Sequence, residues 1–484
     1  MNKRQKTSHG APAAASVRVG APAAAHRAGA LDVEYSLPVG AAPVGWHWEK
    51  ELTLVPKAPK GIGAAPAKFC VGSVQGSLLC MPKFYGFTTF GAPATDTRSL
   101  GVASNQGLFK GQLQRSPIPQ TEAHDKCVEQ LREVGGALLV LPCGFGKTVV
   151  SISVACTLGR KTLIIIFTME LARQWVERIR SFAPDARVGM IQCDECDVGD
   201  KDFVVATLQT LRSRSYPREF LQQFGTTIID EAHHIAARAF SEVMKTVPSR
   251  YVLGLSATPE RKDGLTRLLH WLVGPVAFRA SREHAPNVNV MKCVYTQGKE
   301  SEIVYKNGTL GVARMVNGLT KDRRRTNFIA HMVSMVLTKN PNRKLLILSD
   351  RRDHVDEVQK AVDGLQRGVD VDSKWTTGVI VGGMKPGDIA VQKDAQVILS
   401  TYHYCSEGFD LPRLDTLLLS TPRTSIEQSV GRILRAHPDK ENPVVLDFVD
   451  NFSIFAAQSL KRTSFYEKQG YTIKTYDDTE LLSK

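Results

Sequence analysis

The chain's 484 residues are 43% hydrophobic and 23% charged, ordinary for a soluble globular protein with two or three sizeable cores. No apolar stretch approaches the ~18–20 residues of a membrane span, which excludes a membrane-crossing helix and leaves no membrane among the expected partners. A net charge of +14, with a pI near 9.3, favours a polyanionic partner, most simply nucleic acid.

Residues 1–30 are rich in Ala, Gly and Pro and carry Lys3, Arg4, Lys6, Arg18 and Arg27 without an acid. Such a segment buries too little apolar surface to fold and is expected to be a disordered basic tail. Residues 31–111 read as a small β-rich domain, with β-like runs at 52–55 and 84–90. Trp46 and Trp48 flank His47, and packing is the expected role of both indoles.

Pro117, Pro119 and Gln120 open the next region, followed by a helix-like stretch. A glutamine upstream of a phosphate loop can read the adenine edge with its amide, or can be a surface side chain. The loop itself is 141–148, L-P-C-G-F-G-K-T, between an apolar run at 137–141 and a helix-like segment at 149–158. Strand, glycine loop and helix in this order is the context that a phosphate-binding loop requires, the alternative being an ordinary glycine turn before a helix. Pro142, Cys143, Gly144, Phe145 and Gly146 are its backbone. Without a Cβ at Gly144 and Gly146, amides can turn towards phosphate oxygens, and the helix N-terminus adds positive charge. Lys147 can reach terminal phosphates, and Thr148 offers a hydroxyl to Mg²⁺.

Apolar runs then alternate with amphipathic segments. Strands are expected at 162–167, 203–206, 226–229 and 251–255, with a helix over 171–182. This repetition indicates a parallel sheet covered by helices, whose ligands sit at the carboxyl ends of the strands. D-E-A-H at 230–233 follows one such strand. Asp230 is placed to hold Mg²⁺, and Glu231 to act as general base on the attacking water. After a basic, polar region near 280–339 a second α/β series begins, with strands at 344–348, 378–381, 396–400 and 416–419 and helices at 354–362 and 426–435. On that last helix Gln428, Arg432 and Arg435 share one face by their i, i+4, i+7 spacing. Two guanidiniums there can enter the γ-phosphate site from the second domain. The division is therefore a tail (1–30), a small β-rich domain (31–111), an ATP-binding domain (112–283) and a C-terminal domain (284–484).

The nine cysteines are scattered and odd in number, and no secretory signal precedes them, as expected of a reducing intracellular compartment. Cys193 and Cys196 form a C-x-x-C with no second pair nearby. A chance pair in a surface loop is expected there, rather than a zinc site.

L-P-C-G-F-G-K-T, D-E-A-H, S-A-T-P-E-R and Q-S-V-G-R-I-L-R, in this order, resemble the superfamily-2 helicases. The segments at 254–264 and 271–275 are similar to XPB-like DNA helicases, and C-G-F-G-K-T with E-G-F-D-L-P (407–412) to the poxvirus-type transcript-release helicases of large DNA viruses. The resemblance implies two tandem RecA-like domains and an ATP- and Mg²⁺-dependent motor. It assigns nucleic-acid contacts to Thr207, Gln209, Arg351 and Thr401, and coupling to His233, Ser256 and Thr258. Nucleotide sensing falls to Gly408 and Asp410, and adenine reading to Gln120. It implies 3′→5′ movement and a role in transcription or repair, with RNA polymerase a candidate partner. The expected site of action is the host nucleus or cytoplasm, with packaging in a virion a further option. DNA is the preferred substrate, because of the XPB-like segment and of Ile433-Leu434, where RNA-directed DEAH proteins tend to carry a glycine. The rivals are an RNA helicase and an ATP-gated remodeller of a polymerase complex that does not unwind.

Overall fold

Runs of Val, Ile and Leu without interruption make strands that are buried on both faces, and such strands assemble into parallel sheets under helices. The computed structural model builds two. It describes residues 29–57, 67–104, 107–116, 118–142, 144–192, 195–232, 237–257, 264–280, 287–296, 302–305, 308–366, 374–406, 411–435 and 437–482. The tail to residue 28, Cys143, Cys193, His233, Thr258, Gly408 and Asp410 lie outside the described residues.

The N-terminal region contributes β1 (Ala30–Leu31), β2 (Tyr35–Pro38), β3 (Thr53–Leu54), β4 (Phe69–Cys70), β5 (Ser73–Gln75), β6 (Leu78–Met81) and β7 (Thr95–Asp96). Five form a sheet of order β5-β6-β2-β1-β7, and β3 pairs with β4. The first parallel sheet holds β8 (Gly136–Val140), β9 (Thr162–Ile166), β10 (Val188–Gln192), β11 (Glu195–Cys196), β12 (Phe203–Thr207), β13 (Thr226–Ile229), β14 (Tyr251–Ser256) and β15 (Val276–Arg279). Its order is β11-β10-β12-β9-β13-β14-β8-β15, and only β11 runs antiparallel. Every residue of β8, β9, β12 and β13 is buried. The second sheet holds β16 (Asn289–Tyr295), β17 (Leu345–Ser349), β18 (Thr377–Ile380), β19 (Val397–Thr401), β20 (Thr416–Leu419), β21 (Val444–Asp450) and β22 (Thr472–Asp477). Its order is β18-β19-β17-β20-β21-β16-β22, parallel throughout. The fold is α/β, with two tandem RecA-like sheets preceded by a small β-containing region.

Three expectations are corrected. The run at 84–90 is not β-like: Lys83–Phe90 is a helix, burying Phe84, Gly86 and Phe90. Between 280 and 339 stand β16 and the helices Val312–Lys321 and Arg323–Lys339. The helix expected over 426–435 spans only Glu427–Arg432.

The N-terminal region is no free-standing unit. Leu31, Tyr35, Leu37, Phe84 and Phe90 share one core with Leu138, Val140 and Leu269, covering one face of the first sheet. The other face packs under the helices Lys147–Leu158, Met169–Phe182 and Gln120–Glu133. Trp46 stacks on Tyr85 with ring centroids 6.5 Å apart, so this indole packs as expected. A Cβ added at Gly86 would lie 2.2 Å from Tyr35 Cγ. Gly86→Ala should therefore cost ~1–3 kcal/mol from overpacking, although alanine is the better helix former by ~1 kcal/mol. Urea unfolding checks this, and an unchanged or raised midpoint would refute it.

Lys83 is buried and its Nζ donates to the Val247 carbonyl at 2.5 Å. Burial, helped by the Arg98 charge and opposed by Asp32, Asp96 and Glu34, drives the ammonium down to about 7. An unfolded lysine holds its proton to ~10.4. Between those limits the unfolded chain binds more protons than the folded one, so stability rises with pH. Urea midpoints should climb from pH 7 to pH 9, and Lys83→Met should flatten the climb; equal slopes in both proteins would contradict the assignment.

Candidate ATP site and nucleic-acid contacts

The motif residues of the first sheet stand at the carboxyl ends of its strands, where parallel sheets place their ligands. After β8, Leu141 N donates to the Ser256 carbonyl at 3.1 Å, which ties the loop's entry to the end of β14. Gly144 (φ 86°) and Gly146 (φ 78°) both adopt the left-handed conformation that favours glycine. Gly146 caps the helix Lys147–Leu158, whose first-turn amides face the loop. The described loop residues Pro142, Gly144, Phe145 and Gly146 are contiguous with Lys147 and Thr148 at that helix start. Lys147 Nζ donates to the Leu141 carbonyl at 3.3 Å, which keeps the ammonium over the loop.

Gln120 is buried, and both ends of its amide are engaged. Nε2 donates to the Phe145 carbonyl at 3.1 Å, and Oε1 accepts from Gln114 N at 3.0 Å. A Cβ on Gly146 would meet Gln120 Nε2 at 2.4 Å, so the glycine is also needed for this approach. In this arrangement Gln120 braces the phosphate loop.

Asp230 follows β13, two strands from β8 with β14 between. Burial and the neighbouring Glu231 charge push its carboxyl up to about 6, opposed by Trp175 and Lys147. Its Oδ2 accepts the Trp175 indole N–H at 2.8 Å, and its Oδ1 the Glu231 amide at 2.9 Å. Glu231 has φ 43°, a left-handed conformation that a non-glycine residue adopts only under strain of order 1 kcal/mol, as functional sites often do. Two adjacent carboxyls, one of them buried, make a donor set that a divalent cation would stabilise. The Trp175–Asp230 contact is one that sequence reasoning does not find. Its signal in the sequence is only that a buried tryptophan needs an N–H partner.

Thr207 ends β12 and caps the helix Leu208–Ser213: its Oγ1 accepts from Thr210 N at 3.1 Å. Gln209 in the first turn is exposed. Ser256 is fully buried at the end of β14, paired in register with Val140.

In the second sheet, Arg351 follows β17. Its Nε donates to Asn317 Oδ1 at 2.7 Å and its Nη1 to the Asp350 carbonyl at 3.2 Å, so the helix Val312–Lys321 orients this guanidinium. Thr401 ends β19, with Oγ1 accepting from Tyr404 N at 3.3 Å. Gln428 and Arg432 lie one turn apart on the helix Glu427–Arg432. Arg435 is not on that helix. Ile433 is fully buried, and its N–H bonds the Val430 carbonyl at 3.1 Å in a tightened last turn. Pro438 follows at a place where a continuing helix would lose a donor. Arg435 therefore reaches its neighbours from a turn. Both arginines act on the buried Cys405 thiol, which burial raises and their charges lower. Arg423, not singled out by the sequence, donates to Asp350 Oδ1 at 3.0 Å and stacks over Tyr402 at 4.8 Å.

The family model for the type III restriction enzyme, res subunit, matches residues 117–261, the stretch that carries the phosphate loop and Asp230. A protein of Acanthamoeba polyphaga mimivirus, provisionally named an ATP-dependent RNA helicase, is 33% identical over 448 residues, 90% of this chain and 84% of the relative. A provisionally named helicase of Invertebrate iridescent virus 6 is 28% identical over 381 residues, 76% of this chain and 84% of that protein. Among solved structures, S. cerevisiae Dbp5 bound to RNA and ADP BeF3 shares the fold, with TM-score 0.51 at 13% identity over 74% of this chain and 89% of that one. The chain belongs to the superfamily-2 helicases, ATP-dependent nucleic-acid enzymes, in the group that includes helicases of large DNA viruses.

Proposed function

We propose that the chain hydrolyses ATP between its two parallel-sheet domains and uses the cycle to move along nucleic acid, with DNA the preferred track, in viral transcription or repair. The observation that carries the ATP site is the placement of the phosphate loop and Asp230–Glu231 at the ends of β8 and β13, separated only by β14. In this reading Lys147 grips the terminal phosphates, and Glu231 orients water and accepts its proton. A bound Mg²⁺ held by Asp230 and Thr148 would neutralise phosphate charge. Arg432 and Arg435 approach from the second domain, stabilise the spreading charge and sense loss of the γ-phosphate. Thr207, Gln209, Arg351 and Thr401 are the proposed contacts to the nucleic-acid backbone, and RNA polymerase is the proposed protein partner.

DNA is supported by the XPB-like segments. The mimivirus relative's name favours RNA as the second reading. ATPase rates with single- and double-stranded DNA and RNA separate them. At least ~10-fold stronger stimulation by DNA is expected, falling steeply with salt as phosphate contacts are screened. Stronger stimulation by RNA would replace DNA as the track.

A further inference from the structure

Trp175 lies on the helix Met169–Phe182, which follows β9, the strand beside β13. Its side chain is 2% exposed, yet a purely apolar role would not require an indole. The polar edge of the ring is aimed at the carboxylate after the neighbouring strand, Nε1 to Asp230 Oδ2 at 2.8 Å. The other oxygen of Asp230 is held by the Glu231 amide at 2.9 Å. An ionised carboxylate offers about four acceptor directions, so these two bonds fix its plane and leave the remaining lone pairs for a cation. Indole nitrogen is a donor only, and it sits on a buried ring with two side-chain torsions. Metal ligands are commonly oriented by such outer partners, and loss of one typically costs ~10–100-fold in metal affinity.

We propose that Trp175 is a positioning residue for magnesium: its indole N–H holds the Asp230 carboxylate in the orientation that binds the ion. The proposal rests on the reading of Asp230 as a magnesium ligand. It does not place Trp175 in contact with nucleotide or metal.

The test compares full-length protein with Trp175→Phe and with site-specific 3-benzothienylalanine at 175, which keeps the bicyclic shape and lacks the N–H. Two quantities are read: Mn²⁺ binding to the ADP-loaded protein by electron paramagnetic resonance, and the Mg²⁺ concentration for half-maximal ATPase. Both variants should bind Mn²⁺ ~10-fold more weakly and need ~10-fold more Mg²⁺, with kcat at saturating Mg²⁺ within ~3-fold of the parent. If the benzothienyl variant binds Mn²⁺ like the parent, Trp175 only packs, and the proposal falls. This holds even if Trp175→Phe is destabilised. Asp230→Asn separates the two levels of argument. Parental Mn²⁺ affinity in that variant would overturn the magnesium reading itself, whereas weak binding there with parental binding in both Trp175 variants overturns only the role of the indole.

Discussion

Lys147→Ala should lower the ATPase kcat by ~10²–10³-fold, the scale at which one preorganised charge or donor stabilises a transition state. The expectation follows from where the loop puts the ammonium. Gly144 and Gly146 turn the backbone through two left-handed positions, and the helix starting at Lys147 presents its first amides in the same direction. Lys147 is only partly buried, so its removal should leave the melting temperature nearly unchanged. The lysine is also one of three groups that favour the charged form of Asp230, the others being the Trp175 indole and the Glu231 amide. Truncation thus removes the phosphate grip and a counter-charge to the acidic pair together. Hydrolysis at the parental rate in a folded Lys147→Ala protein would show that the loop is not the hydrolytic site. Unfolding of that variant would instead show that the side chain is structural.

The parts legible in the sequence were those in which local pattern and tertiary environment agree. β8 and β12 are mostly apolar runs buried at every residue, and the glycines of the phosphate loop take left-handed backbone positions. Where tertiary context decides, local reading failed. Phe84–Phe90 is rich in aromatics and threonine as a strand might be, but Gly86 lets Tyr35 pack against a helix. β16 carries Lys292 in mid-strand, which reads as polar; its Nζ is satisfied by Thr463 Oγ1 at 2.7 Å, 171 residues away. The last arginine left the expected helix because burial of Ile433 tightens the turn before it. Trp175 was beyond reach because its partner lies 55 residues on, at the end of a neighbouring strand. Sequence periodicity reports which side of a helix is buried, and not which atom the buried side meets.

The same limit hid the interaction with the largest expected effect on stability. Arg325 and Asp450 form an ion pair whose side chains are 0% and 1% exposed. Nε donates to Oδ1 at 2.7 Å and Nη2 to Oδ2 at 2.8 Å, a bidentate geometry, and Nη2 also donates to the Ser420 carbonyl at 2.7 Å. The guanidinium lies 4.4 Å from the Phe448 ring centroid. Asp322 starts the helix by accepting from the amides of Arg324 and Arg325, so Arg325 enters the core from a fixed first turn. The pair pins the helix Arg323–Lys339 to the ends of β20 and β21. Removing one member strands a buried charge, so Arg325→Met or Asp450→Asn should each cost ~3–5 kcal/mol. Replacing both with apolar residues of similar volume removes the stranded charge as well as the bond, and should cost much less than the two single losses added. Hydrogen exchange in β21 and in Arg323–Lys339 of the full-length chain resolves this from events in the first sheet. A single-variant cost below ~1 kcal/mol, or additivity in the double variant, would mean that water reaches the pair and that packing of Phe448 and the helix carries the joint instead.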